Sequence, residues 1–161
     1  MDFSFDIRGY LKPYGKNEIK KEDLKTGFVD PFDEASSRKR LYQGYLKYNE
    51  DLQSLLNGQK YIQWIDGSFI STQINPRDID LVSLIDYRFI EKYELELKRF
   101  LNKQGKDNYG IDGYMVRVYP EGHDKYVRTK SDLIYWESWF SMSKKNRRKQ
   151  RFPKGFVEIK F

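Results

Sequence analysis

The segment Trp64-Ile65-Asp66-Gly67-Ser68 is separated by nine residues, Phe69 to Arg77, from Asp78-Ile79-Asp80-Leu81-Val82. Both ends of this stretch read as strands, β-rich and apolar, and the join between them starts at a small-residue turn. Side chains two apart on a strand share a face, so Asp78 and Asp80 are expected to stand side by side. Two bare carboxylates at that spacing repel, and one is driven to hold a proton unless a cation intervenes. Oxygen ligands of this kind suit Mg²⁺ or Mn²⁺. A Gly turn that exposes backbone N–H groups suits phosphate oxygens, which gives Gly67 and Ser68 a candidate role in holding a nucleotide.

Working outward, Tyr61 to Ile65 and Asp78 to Ile85 are read as two strands, with Pro76 favouring an extended approach to the second. Upstream, Leu41, Tyr45, Tyr48, Leu52 and Leu55 recur on one helical face. Asp30-Pro31 offers a start and Asn57-Gly58 a stop, so one long helix is expected over about 34–57. Downstream, Ile90, Tyr93, Leu97, Phe100 and Leu101 give a second helix that Asn102 to Gly105 ends. A third strand follows from Ile111 to Tyr119, then a short helix opened by Ser131-Asp132 and running through Trp136, Trp139 and Phe140. A final strand is expected over Gly155–Phe161. The first 30 residues, punctuated by Pro13, Gly15 and Gly27, are expected to be extended or irregular. The resulting order is α/β: a mixed sheet with helices packed mainly on one face, in a single domain over residues 1–161. That domain divides into an N-terminal extension (1–33), a motif-bearing core (60–120) and a basic segment (144–151).

The motif resembles the active-site signature of the nucleotidyltransferase superfamily related to DNA polymerase beta, in its minimal form: a hydrophobic strand, Gly-Ser, a spacer of about ten residues, then Asp-hydrophobic-Asp. The match covers roughly residues 60–120. It implies that Asp78 and Asp80 hold Mg²⁺ or Mn²⁺ and that a nucleoside triphosphate is the substrate. It also implies a third acid on a later strand, for which Asp112 in Ile111-Asp112-Gly113-Tyr114 is the candidate, completing the metal site and helping to deprotonate an acceptor hydroxyl. Gly67 and Ser68 are then expected on the β- and γ-phosphates, with Lys154 reaching the triphosphate from the last strand. The acceptor is a protein, an RNA or a small molecule. Small members of this superfamily act as toxins, antitoxins or defence factors, and the resemblance extends that setting here as an expectation.

Composition bounds the alternatives. The chain has no Cys and one His, His123, which excludes a thiolate or multi-His metal centre. His123 is read as a turn residue. No apolar run approaches a membrane span and the start Met1-Asp2-Phe3-Ser4 lacks a signal-peptide pattern, so a cytoplasmic protein without membrane contact is expected. The net charge of +6 is concentrated in Lys144-Lys145-Asn146-Arg147-Arg148-Lys149-Gln150-Arg151, which has six cations and no anion; the rest of the chain is neutral. Lys144, Lys145, Arg147, Arg148, Lys149 and Arg151 form either a solvated loop or a contact for nucleic acid. That run supports a second reading, a nucleotide- or nucleic-acid-binding protein without turnover. A third is a partner-binding module with a vestigial site. Asp66 is expected to stabilise the turn and stands outside the metal set. Arg77 is weighed between phosphate and a surface pair, Arg38 and Arg40 are weak candidates to face a cleft, and the Trp residues are expected in the core.

Overall fold

The computed structural model describes residues 3–161; Met1 and Asp2, the first residues of the expected N-terminal extension, lie outside it. A five-stranded mixed sheet runs in the order β3 (Gly15–Glu18), β7 (Gly155–Lys160), β4 (Ile62–Asp66), β5 (Ile79–Asp86), β6 (Ile111–Val118). The β3–β7 and β5–β6 pairs are parallel, and β4 is antiparallel to both its neighbours. A short antiparallel pair, β1 (Ser4–Phe5) and β2 (Leu11–Lys12), precedes β3. A parallel pair requires a long crossover. Between β5 and β6 it is supplied by α3 (Tyr87–Lys92), α4 (Glu94–Leu97) and α5 (Asn102–Tyr109).

Period-two alternation divides the side chains of each central strand between two faces. Ile79, Leu81 and Ile85 of β5, Ile65 of β4, Ile111 of β6 and Val157 and Ile159 of β7 enter the larger core. That core is covered by α1 (Lys21–Phe28), α2 (Arg38–Leu55) and the crossover helices. The helical stripe read from the sequence is its lid, with Leu41, Tyr45, Tyr48 and Leu52 fully buried. Tyr45 Oη donates to Gln63 Oε1 at 3.0 Å and Gln63 Nε2 donates to Ser83 Oγ at 3.1 Å, while Tyr48 Oη is buried without a hydrogen-bond partner among the described residues. The opposite face carries Trp64, Val82, Leu84, Val116 and Phe156 against α6 (Tyr126–Phe140). The α/β class, the mixed sheet and the predominance of helices on one face agree with the sequence reading.

Several expected boundaries are corrected. The long helix begins at Arg38 rather than after Asp30-Pro31, because the residues before it are spent on tying loops together. Ser36 Oγ donates to the Ile74 carbonyl at 2.5 Å and Ser37 Oγ to that of Pro76 at 2.6 Å. The helix expected over 90–101 is three short pieces, Tyr87–Lys92, Glu94–Leu97 and a 3₁₀ turn at Lys98–Phe100. Asn102 to Gly105 does not end a helix but opens α5, after an extended Leu101 breaks the chain direction. The last helix starts at Tyr126, five residues before Ser131, where buried Thr129 Oγ1 donates to the Arg117 carbonyl and accepts from Tyr119 N. The N-terminal segment is more ordered than expected, since β3 extends the sheet and α1 closes the larger core.

Candidate functional site

The sheet register assembles the acids. Asp66 at the end of β4 lies directly opposite Asp80 on β5, and Asp80 lies directly beside Asp112 on β6. Directly paired residues point to the same face, so the three carboxylates form a row across three neighbouring strands, on the face that carries α6. Asp78 precedes β5 by one residue and shares that side.

Gly67 makes the turn that starts the spacer. It holds φ +82°, and a Cβ there would collide with the Asp80 carboxylate, so glycine is required for both conformation and space. Ser68 opens a 3₁₀ turn, Ser68–Ile70. The loop beyond it is clamped from below by Arg38, which is buried without a carboxylate partner among the described residues. Its guanidinium donates to the carbonyls of Phe28, Ser68, Phe69, Ser71 and Gln73 at 2.6–3.2 Å and stacks 3.8 Å from the Phe32 ring centroid. Burial lowers its pKa to about 10. The expectation that Arg38 faces the cleft is therefore corrected: it shapes the loop from the far side.

A cleft of about 490 Å³ opens over the acid row. Gly67, Ser68, Asp78, Asp80 and Lys154 line it together, as do Asp66, Arg77, Lys144, Arg151 and Trp139. Asp112 is one strand beyond, beside Asp80. Of the basic run, Lys144 and Arg151 reach the cleft, while Lys145, Arg147, Arg148 and Lys149 are exposed on the loop between α6 and β7. That loop is turned by Asn146, whose Oδ1 accepts from Arg148 N and Gln150 N.

The charges within the site are unevenly matched. Lys154 Nζ donates to both oxygens of Asp66, at 2.6 and 2.5 Å, and both side chains are largely buried. Burial still pushes the Asp66 pKa up, against the pull of Lys154. Lys106 Nζ, from α5, lies 2.9 Å from Asp112 Oδ2 and 3.1 Å from Asp78 Oδ2, and the bond to Asp112 raises the Lys106 pKa. The Asp80 carboxylate has no hydrogen bond or ion pair among the described residues. Its burial, with the like charges of Asp78 and Asp66 beside it, raises its pKa to about 6. An unpaired carboxylate flanked by two others fits a hard divalent cation. No three acidic or imidazole groups among the described residues already converge as a cation cage. Mg²⁺ is ordinarily held by one or two carboxylates together with substrate phosphates and water, and Asp78 and Asp80 meet that description.

Three contributors escape the sequence reading. Asp66 reads as a turn residue, but its register places it in the acid row. Lys106 gives no signal, because the sequence of α5 reads as a helix terminus. Trp139 was expected in the core, yet it is 44% exposed at the cleft wall. The Tyr135 ring is stacked 6.4 Å from Trp139 and Arg151 Cζ lies 5.4 Å from its centroid. Trp64 is buried as expected, donating to Glu158 Oε2 at 2.7 Å. His123 sits in a turn, its Nδ1 accepting from Lys125 N at 3.0 Å. Among the described residues, no helix is long and apolar enough to cross a membrane.

No curated protein and no solved structure matches this chain. The model of a family of unknown function, DUF6932, matches residues 3–160, and the chain belongs to that family.

Proposed function

We propose that the chain is a metal-dependent nucleotidyltransferase that transfers NMP from a nucleoside triphosphate to a hydroxyl. The observation that carries this reading is the convergence of Gly67, Ser68, Asp78, Asp80 and Lys154 on one cleft, with Asp112 in register beside Asp80. The resemblance of the motif to the nucleotidyltransferase superfamily assigns roles to the same residues. Gly67 and Ser68 meet the outer phosphates, Ser68 through a hydroxyl that is uncommitted among the described residues. Lys154 keeps one of its three donors after Asp66 takes two. Arg77, Lys144 and Arg151 add positive charge along the cleft, which favours a polyphosphate. Asp78 and Asp80 hold Mg²⁺ or Mn²⁺, which withdraws charge from phosphate oxygens when bound. The acceptor oxygen forms a bond to the α-phosphorus as the bond to pyrophosphate breaks, and Asp112 receives the hydroxyl proton. Trp139 offers an apolar face for the base.

The acceptor class is a protein, an RNA or a small molecule, and a toxin–antitoxin or defence role is in keeping with so small a catalytic domain. A second reading, nucleic-acid binding without turnover, is favoured by the cations of Lys144 and Arg151 continuing from the cleft into the exposed loop. Calorimetric titration with ATP, GTP, CTP and UTP, in Mg²⁺ and in EDTA, separates the two. Metal-dependent binding lost in Asp78→Ala/Asp80→Ala, followed by transfer of α-labelled NMP, supports catalysis. Nucleotide binding absent throughout, with nucleic-acid binding that persists in EDTA, supports the second reading.

A further inference from the structure

Three carboxylates line the cleft and a fourth, Asp112, stands one strand beyond, and two lysines are already bonded to three of the four. Lys154 serves Asp66, and Lys106 spans Asp78 and Asp112. Only Asp80 is left without a directly bonded cation among the described residues; Lys144, across the cleft, acts on it at longer range. With all four acids ionised, two ammonium groups leave two negative charges, the charge of one divalent ion.

We propose that Lys106 is a built-in cation of the acid row, taking the place of one divalent ion, so that the chain holds a single Mg²⁺ or Mn²⁺ on Asp78 and Asp80. This rests on the nucleotidyltransferase reading and alters its usual form, in which two ions act together. Lys106 is well held for the role. It sits one turn before Tyr109, whose hydroxyl donates to Asp51 Oδ2 on α2 at 2.8 Å and whose ring stacks on Phe100. Gly110 then ends α5 in the left-handed conformation and turns the chain directly into β6, six residues from Lys106 to Asp112. The ammonium is thus fixed by the same short connection that places Asp112. It engages Asp78 through Oδ2 alone, and Asp78 together with Asp80 would hold the ion. The other cations of the cleft carry charge on a bound triphosphate that a second ion otherwise neutralises.

The test counts ions. Mn²⁺ bound per chain is measured by the electron paramagnetic resonance signal of free Mn²⁺, with and without a non-hydrolysable ATP analogue. The proteins are the wild type, Lys106→Met, Lys106→Arg and Asp80→Asn, each checked for fold by circular dichroism. One ion in the wild type, two in Lys106→Met, one in Lys106→Arg and loss in Asp80→Asn is the expected pattern. A packing role for Lys106 would not move the count, and Lys106→Gln replaces the Met variant if that one fails to fold. Two ions in the wild type, or one in Lys106→Met, overturn the inference while Asp80-dependent binding leaves the nucleotidyltransferase reading standing. Binding that Asp80→Asn does not change overturns the placement of the ion. No Mn²⁺ in any protein, with or without nucleotide, overturns both.

Discussion

Lys154 and Asp66 form a two-pronged ion pair, 2.5 and 2.6 Å, between residues 88 positions apart, with both side chains mostly buried. It pins the start of β7 to the end of β4, next to the Gly67 turn. Removing one member of a buried pair leaves the other charge uncompensated, which costs about 3–5 kcal/mol. Asp66→Ala is expected to lose stability on that scale in urea unfolding, with an unchanged slope. Lys154→Met/Asp66→Leu, which removes both charges, is expected to recover most of the loss. Equal destabilisation by the single and double variants would show that the pair acts through packing instead.

Asp80 gives a pH dependence of defined sign. Its folded pKa is raised to about 6 from the ordinary carboxyl value of 3.8, by burial first and then by Asp78 and Asp66. A carboxyl of this kind binds its proton more tightly in the folded state. Its contribution to stability is full below pH 3.8 and is lost as the pH rises through about 6. Asp80→Asn, which cannot ionise, is therefore expected to exceed the wild type in stability at pH 7.5 by on the order of 1–3 kcal/mol, with the difference closing near pH 4. Thermal melts across that range in EDTA check this. A constant offset between the two proteins would show that Asp80 does not titrate between them.

Arg38 is expected to be the most sensitive single position in the loop that carries Ser68. It satisfies five carbonyls, and its bonds to three of them, those of Phe28, Phe69 and Ser71, are buried. An unpaired buried acceptor costs about 1–3 kcal/mol, so Arg38→Ala is expected to lose at least about 3 kcal/mol. Arg38→Lys keeps the charge but not the planar fork, and should recover little. Amide hydrogen exchange should place the loosening at residues 68–73. Full stability in Arg38→Lys would show that charge alone suffices.

The acid row was only half legible. Asp78 and Asp80 declare themselves by alternating on one strand, and Gly67 by its place in the turn. Asp112 is legible only through the resemblance. Asp66 is not legible as a member, because its membership depends on strand register, which local sequence does not state. Lys106 depends on how a short helix is aimed after the break at Leu101 and Asn102, a tertiary outcome with no periodic trace. The long stripe of α2 was readable because its apolar period spans four turns. Its start was misplaced because Ser36 and Ser37 bond to a segment nearly 40 residues away. Trp139 was misread since an exposed Trp is uncommon, and only the position of α6 beside the cleft makes it a wall.

The basic loop carries the last prediction. Lys145, Arg147, Arg148 and Lys149 are exposed on it, outside the cleft lining, while Lys144 and Arg151 turn inward. If single-stranded nucleic acid is bound there, each phosphate contact releases counterions and contributes about 0.7 to the slope of log K against log salt. Replacing the four outward residues with Ala is expected to flatten that slope by up to about 3. Trp139→Ala is expected to weaken binding at every salt concentration without changing the slope, because stacking releases no counterions. Fluorescence anisotropy of a labelled oligonucleotide from low to moderate salt, in EDTA, measures both. An unchanged slope in the four-residue variant would remove the loop from the interface, and Lys144 and Arg151 would then serve only the triphosphate.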